Sequence, residues 1–414
     1  MPGISHQRRA APRAVPLGNS AANTCTGAAS SEWYHRTEIC WPVIAGLEGS
    51  AIVRDYEILV DKVRGTLVGG AVGDALGWPI EFLSRTEILR RYGEPGVTGF
   101  LPGPEPGAPA AITDDTQMTL FTAEGLLRCP PGSDALPALH RAYLRWLNTQ
   151  QSPSPAPDPD GWLAAQRFLY AVRAPGNACM TGLRRQSAGL LPPRPLGTEG
   201  PVNSHSKGCG TVMRSAPFGL TGSGPAAAFD LAARCGQLTH GHPTGYLAAG
   251  AFAALIDHSI RGMELRTAVR EVVALLRTFT GAQETIDALE LAVSLADSDP
   301  GSAEGVARAG EGWIAEECLA VAVYCAVSAQ DTGDVRGALL AAVNHSGDSD
   351  STGAVAGNLL GAGHGLSTLP AEWVGAVEGR DLLIQVADDL VTCFHYGDRA
   401  RAAARYPLDT APRG

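Results

Sequence analysis

The chain has 414 residues, 45% of them hydrophobic, which is ample for a core, and its 50 glycines and 29 prolines stay below a low-complexity composition and follow no Gly-X-Y period. A net charge of −10 argues against a general nucleic-acid binder, which needs a basic face to displace counterions. Nine cysteines without a C-x-x-C pair argue against a disulfide framework or a structural zinc site, and no apolar run reaches the ~18–20 residues of a membrane span.

In chain order, residues 1–55 mix Ser, Asn, Pro and Arg without a lasting period and read as a disordered arm. Arg8-Arg9 superficially suggests a twin-arginine signal. The segment that follows is Ala-Pro-Arg-Ala-Val-Pro, not an apolar stretch, so a cytoplasmic location is expected. From Asp55 onward Ala and Leu dominate, and apolar residues recur at three- and four-residue spacing. The pattern predicts helices at 56–77, 114–128, 135–148, 161–173, 210–220, 225–238, 243–260, 264–279, 282–296, 316–328, 333–343, 353–366 and 379–395. Pro- and Gly-rich loops are expected at 92–110, 151–160 and 184–204. No convincing alternating strand is present. One all-α domain over 56–400, with a tail at 401–414, is the simplest organisation.

The first helix contains Gly65-Thr66-Leu67-Val68-Gly69-Gly70-Ala71-Val72-Gly73, and a second glycine-rich helix runs from Gly353 to Gly365. Each interior glycine costs up to about 1 kcal/mol against alanine. Close approach of another backbone, or room for a ligand, would offset that cost. Both segments adjoin acidic clusters. Thr113-Asp114-Asp115 opens one helix and alone reads as a cap favouring the positive end of the helix dipole. His345-Ser346-Gly347-Asp348-Ser349-Asp350-Ser351-Thr352-Gly353 opens another, and it is no EF-hand loop, because position twelve from Asp348 is Leu359 where a glutamate is required.

Considered together, the clusters offer carboxylates and hydroxyls at helix starts. These are hard oxygen ligands suited to Mg²⁺ or Mn²⁺. Four aspartates in one pocket would repel one another unless cations neutralised them, and two divalent ions about 3.5–4 Å apart would do so and activate a water. Glu81, after Pro79 at a helix exit, is either a solvated loop residue or a carboxylate reaching that site. Asp74, inside an apolar helix, is expected to have a structural hydrogen-bonding role.

The ordered blocks Gly69–Gly77, Thr113–Met118, Gly208-Cys209-Gly210-Thr211-Val212-Met213-Arg214, Leu238-Thr239-His240 and Gly347–Gly353 resemble the ADP-ribosylglycohydrolase family over about 60–395. The resemblance implies a compact orthogonal multi-helix bundle with a binuclear Mg²⁺ or Mn²⁺ centre in a central ADP-ribose cleft. By position, Thr113, Asp114, Asp115, Asp348, Asp350 and Ser351 would be metal ligands, with Asp350 as the bridge and Thr352 as a substitute for Ser351. Asp115, Asp114 and Glu81 would be the catalytic carboxylates. Ser206, Lys207, Gly208, Cys209 and Gly210 match the phosphate- and ribose-binding loop, where backbone N–H groups meet a diphosphate. Many members have asparagine at the place of Cys209, and an aromatic residue can stand at Lys207, whose charge could instead serve the diphosphate. His240 would either contact substrate or hydrogen-bond within the core, His242 would cap a helix, and His345 and His364 look structural.

The implied activity is hydrolysis at the anomeric carbon of ADP-ribose, releasing it from a modified protein or small molecule, by a monomer without membrane attachment. The competing readings are a non-catalytic ADP-ribose-binding or structural member, and metal-dependent phosphoester hydrolysis.

Overall fold

Glycine recurs at every fourth position from Gly65 to Gly77, which puts one smooth stripe along a helix. In the computed structural model, which describes residues 51–410 except Pro104 and Pro106, that helix is α1 (Ala51–Gly77). Of the arm expected at 1–55, residues 1–50 lie outside the described residues, and 51–55 are not an arm but the first turn and a half of α1. After α1 come α2 (Arg85–Tyr92), α3 (Asp114–Arg128), α4 (Leu136–Thr149), α5 (Asn177–Gln186), α6 (Pro225–Gly236), α7 (Pro243–Ile260) and α8 (Leu265–Leu276). These are followed by α9 (Gln283–Ser298), α10 (Ala303–Ala309), α11 (Ala315–Thr332), α12 (Val335–Val343), α13 (Ser349–His364), α14 (Ala371–Ala376) and α15 (Arg380–Leu390). Among the described residues there is no strand, only the isolated bridges Ala110–Val377 and Gly208–Ile314. The all-α class expected from the periodicity is the one found.

Two expected helices are not formed. The segment 161–173 makes two short 3₁₀ turns, Leu163–Ala165 and Arg167–Tyr170, whose apolar residues are buried without a continuous helix. The segment 210–220 splits into Cys209–Thr211 and Ala216–Leu220, where Pro217 withholds a donor and Gly219 lies against the Ala253 carbonyl of α7. Conversely α2, α5, α10 and α14 were not expected. α2 buries only Ile88, too little for a period; Ser84 and Ser302 start α2 and α10 by accepting the Glu87 and Gly305 N–H groups at 3.2 and 2.8 Å.

The glycine stripe of α1 meets a second one on α13, and the helices run antiparallel. Gly65, Gly69 and Gly73 face Gly361, Gly357 and Gly353 so closely that a Cβ on any of them would overlap backbone of the opposite helix. Asn358 ties the pair by donating to the Thr66 carbonyl at 2.7 Å. α7 and α11, buried around nearly their whole circumference, form the apolar centre. Residues 401–410, read from sequence as part of a tail, pack on this frame: Ala402 and Tyr406 are buried, and Asp409 pairs with Arg128 at 2.9 Å and Arg145 at 3.2 Å.

The stripe predicts a reversal of sign within one helix. Gly363→Ala, where nothing lies within 4 Å of the added Cβ, should stabilise by up to about 1 kcal/mol through helix propensity. Gly357→Ala, six residues earlier and against the Gly69 carbonyl, should destabilise by about 1–3 kcal/mol through overpacking. Urea unfolding midpoints of the two variants check this.

Candidate functional site

The site begins with Asp74, which α1 buries completely. A buried carboxylate needs donors, and Asp74 finds them at the start of α3. It accepts from Thr113 N at 3.0 Å, Thr116 N at 3.2 Å and Thr116 Oγ1 at 2.5 Å, and so satisfies N–H groups that the first turn leaves free. Thr113 caps the same helix by accepting from Asp115 N at 3.3 Å. Asp114 and Asp115 therefore stand at the first turn of α3; Asp114 Oδ2 accepts from Gly176 N at 3.1 Å.

The first turn of α13 faces them. Gly347, at φ +137°, admits the Glu311 backbone where a Cβ would collide, and Asp348 N donates to Glu311 O at 2.8 Å. This fixes Asp348 at the N-cap and Asp350 in the first turn. Ser351 Oγ reaches across to Asp115 Oδ1 at 3.2 Å, joining the two helix starts. Thr352, by contrast, is occupied with the Ala342 and Asp348 carbonyls and His345 Nε2, each at 2.8 Å, so the hydroxyl at the site is that of Ser351.

These elements gather two carboxylate triplets, Asp74–Asp115–Asp350 and Glu81–Asp348–Asp350, with oxygens in each within 4.8 Å of one another. Asp350 belongs to both. Among the described residues no cationic side chain pairs with the group, and Asp115 Oδ2 and Glu81 Oε2 are buried without a partner. Burial, reinforced by Asp348, Asp114 and Asp74, pushes Glu81 up to about 8. Burial also raises Asp114 to about 8 and Asp74 to about 6, and holds Asp115 and Asp350 well above the usual carboxylate range. Orphaned carboxylate oxygens, all hard donors, around one shared aspartate fit a small, hard divalent cation and do not fit a soft-metal site.

All of these carboxylates except Asp74 line a cavity of ≈ 360 Å³. Of the residues expected from sequence, Glu81, Asp114, Asp115, Asp348, Asp350 and Ser351 line it, as do Gly208, Cys209, Gly210 and His240. Glu81 is thus no solvated loop residue. Thr113, Ser206 and Lys207 do not line it. Lys207 is paired with Glu316 and with Glu284 at 2.9 Å, so its charge is already spent. The Cys209 N–H donates to Trp313 O at 3.2 Å instead of facing the cavity, and its thiol donates to Asp348 Oδ2 at 2.8 Å. His242 caps α7 through Thr244 N at 3.3 Å.

Three features were not singled out from the sequence. Asp74 joins a triplet besides holding α3. The segment Ala174–Cys179 closes one wall. Phe82 and Trp313 stack at 5.8 Å, 21° from parallel, on the cavity lining, although they are 70% and 39% exposed. The signal for that pair was faint: an aromatic residue beside Glu81, and a tryptophan preceded by Gly310-Glu311-Gly312.

With this geometry in place, the comparisons with known proteins are direct. Residues 55–399 match the family model described as ADP-ribosylglycohydrolase. The chain belongs to that family. It is 27% identical over 320 residues to the ADP-ribosyl-[dinitrogen reductase] glycohydrolase of Rhodospirillum rubrum, covering 77% of this chain and 90% of that protein. It is 24% identical to the ADP-ribosylarginine hydrolase Tri1 of Pseudomonas putida, covering 83% and 81% of the two chains. It is also 24% identical to mouse ADP-ribosylhydrolase ARH3, covering 77% and 88%. A solved structure titled ADP-ribosylglycohydrolase-related protein complex superposes with a TM-score of 0.54 at 25% identity, over 82% of this chain and 99% of that one. Membership supports an ADP-ribosyl hydrolase activity. No helix among the described residues is long and apolar enough to cross a membrane.

The raised carboxylates make a linked prediction. Their native pKa values exceed the ordinary ones, so the native state holds more protons than the unfolded chain, and stability falls as pH rises. In a chelating buffer the melting temperature should therefore decline between about pH 4 and about pH 8. Saturating Mg²⁺ or Mn²⁺ should remove most of that decline, and calorimetry in buffers of different ionisation enthalpy should record proton release on ion binding. A melting temperature that stays flat in chelator would contradict it.

Proposed function

We propose that this protein is a divalent-cation-dependent hydrolase that breaks the glycosidic bond at the anomeric carbon of ADP-ribose and removes ADP-ribose from a modified substrate. The observation that carries this reading is Asp350, which lines the cavity and is shared by two buried carboxylate triplets. Asp114, Asp115, Asp348, Asp350 and Ser351 would hold two Mg²⁺ or Mn²⁺ ions, and Thr113, whose hydroxyl caps α3, stands behind them. Bound ions would neutralise the carboxylates, orient ribose hydroxyls and lower the pKa of water.

The chain's own groups supply the rest. Asp115 Oδ2, buried and without a partner, is the acceptor for a proton from attacking water, with Asp114 as its neighbour. Glu81 Oε2, buried without a partner beside Asp348 and Asp350, is placed to pass a proton to the leaving atom. The surrounding carboxylates stabilise the positive charge that develops at the anomeric carbon. Gly208 and Gly210, without side chains, let a ligand reach the wall.

Incubation with Mg²⁺ or Mn²⁺ and a panel of ADP-ribosylated arginine, ADP-ribosylated serine and free nucleotide substrates tests this. ADP-ribose release is expected. Asp350→Asn and Asp115→Asn should each lower the rate by about 10²-fold or more, with circular dichroism unchanged. Binding of ADP-ribose with no turnover would make this a binding protein, and AMP or orthophosphate release would make it a phosphoester hydrolase.

A further inference from the structure

Arg214 is 1% exposed, yet among the described residues no carboxylate stands within ion-pair distance of it. An uncompensated buried guanidinium is costly, so its partners are informative. The charge rests over the Tyr143 ring at 4.6 Å, and Nη1 contacts Cys179 Sγ at 3.4 Å. Nη2 donates to Thr239 Oγ1 at 2.8 Å.

Thr239 must then dispose of one hydroxyl proton. Two acceptors are within reach: the Gly236 carbonyl at 3.4 Å and His240 Nδ1 at 2.8 Å. The shorter contact is to the imidazole. A hydroxyl that accepts from a cation is also a stronger donor, which favours giving its proton onward. With Nδ1 occupied as an acceptor, the ring proton of neutral His240 sits on Nε2. Among the described residues Nε2 has no hydrogen-bond partner, and it borders the cavity beside Gly208 and Gly210; a Cβ on Gly208 would come 3.4 Å from it.

We propose that Arg214 and Thr239 are positioning residues that lock His240 as a neutral Nε2–H donor, and that this donor receives an acceptor oxygen of the ligand, a hydroxyl or phosphate oxygen, next to the Gly208–Gly210 turn. Burial, with the Arg214 charge behind it, holds the imidazole down to about 3, in keeping with a ring that stays neutral. The ring then offers no lone pair to the cleft and takes no part as a base, which leaves proton movement to Asp115 and Glu81. The ligand half of this inference rests on the ADP-ribose reading above; the tautomer does not.

Nitrogen-resolved ring spectra of the full chain decide the tautomer, with His240 assigned by the signal missing in His240→Gln. A protonated Nε2 and an unprotonated Nδ1 are expected; a proton on Nδ1 in the unsubstituted chain overturns the inference whether or not the protein hydrolyses anything. Calorimetric titration with ADP-ribose in Mg²⁺ tests the donor. His240→Gln, which carries an N–H₂ near the place of Nε2, should bind within a few-fold of the parent, and His240→Leu about tenfold more weakly. Equal affinity of the leucine variant and the parent would remove the donor role. Thr239→Val should lose the single tautomer and weaken binding about tenfold, with Thr239→Ser restoring both. Weak binding in the valine variant with its tautomer intact would overturn the relay. If Thr239→Val fails to fold, the parent spectrum and the two His240 variants still decide.

Discussion

The contact on which everything else depends is backbone against backbone. α1 and α13 approach through facing glycines, and no larger residue fits between them. At the last turn of that contact Gly73 lies against Gly353 and Gly77 against Ser349. The residues that follow or adjoin those positions are Asp74 and Glu81 on one chain segment, Asp348 and Asp350 on the other. A wider separation of the helices, as between ordinary leucine-faced helices, would pull the two acidic sets apart. The glycines thus give up helix propensity to place charge beside charge.

Such a placement is unfavourable by itself. Burial and mutual repulsion act in the same direction on Glu81, Asp114, Asp115 and Asp350, and only Asp74 has a full set of donors. Asp74 therefore plays a double part: its donors come from α3, so the residue that holds the α3 start in register is also the one whose charge loads the cluster. The apolar α7 and α11 allow this, because a large packed core can carry a locally unfavourable site. A cation bound among these carboxylates would relieve that strain.

Long, Ala- and Leu-rich helices were legible from periodicity, since their burial repeats every three or four residues. The segment 161–173 shows the limit of that signal: its apolar residues are buried, yet as two short turns, and periodicity does not separate a buried turn from a buried helix. α2 and α10 failed to register because serine caps and charge, not an apolar face, define them. The acidic clusters could be read because hydroxyl and carboxylate types cluster within a few residues. Their convergence could not be read from either cluster alone; it depends on helix contacts between distant segments. Lys207 was misjudged for a related reason: its partners Glu284 and Glu316 lie far along the chain, so nothing local announced that its charge was satisfied.

The α1–α13 contact also bears on how the protein comes to exist. Thr66 and Asn358, which clasp the two helices, are 292 residues apart in sequence. Pairing of such distant segments raises contact order and slows folding, because the chain between them must be ordered or looped before the contact forms. During synthesis, α1 leaves the ribosome with its glycine stripe unmatched until nearly the whole domain has followed. An amino-terminal fragment that ends before Asp350 contains neither carboxylate triplet in full. The acidic centre is completed only once Asp350 has left the ribosome, and until then α1 and α3 carry their carboxylates without the partners that crowd them.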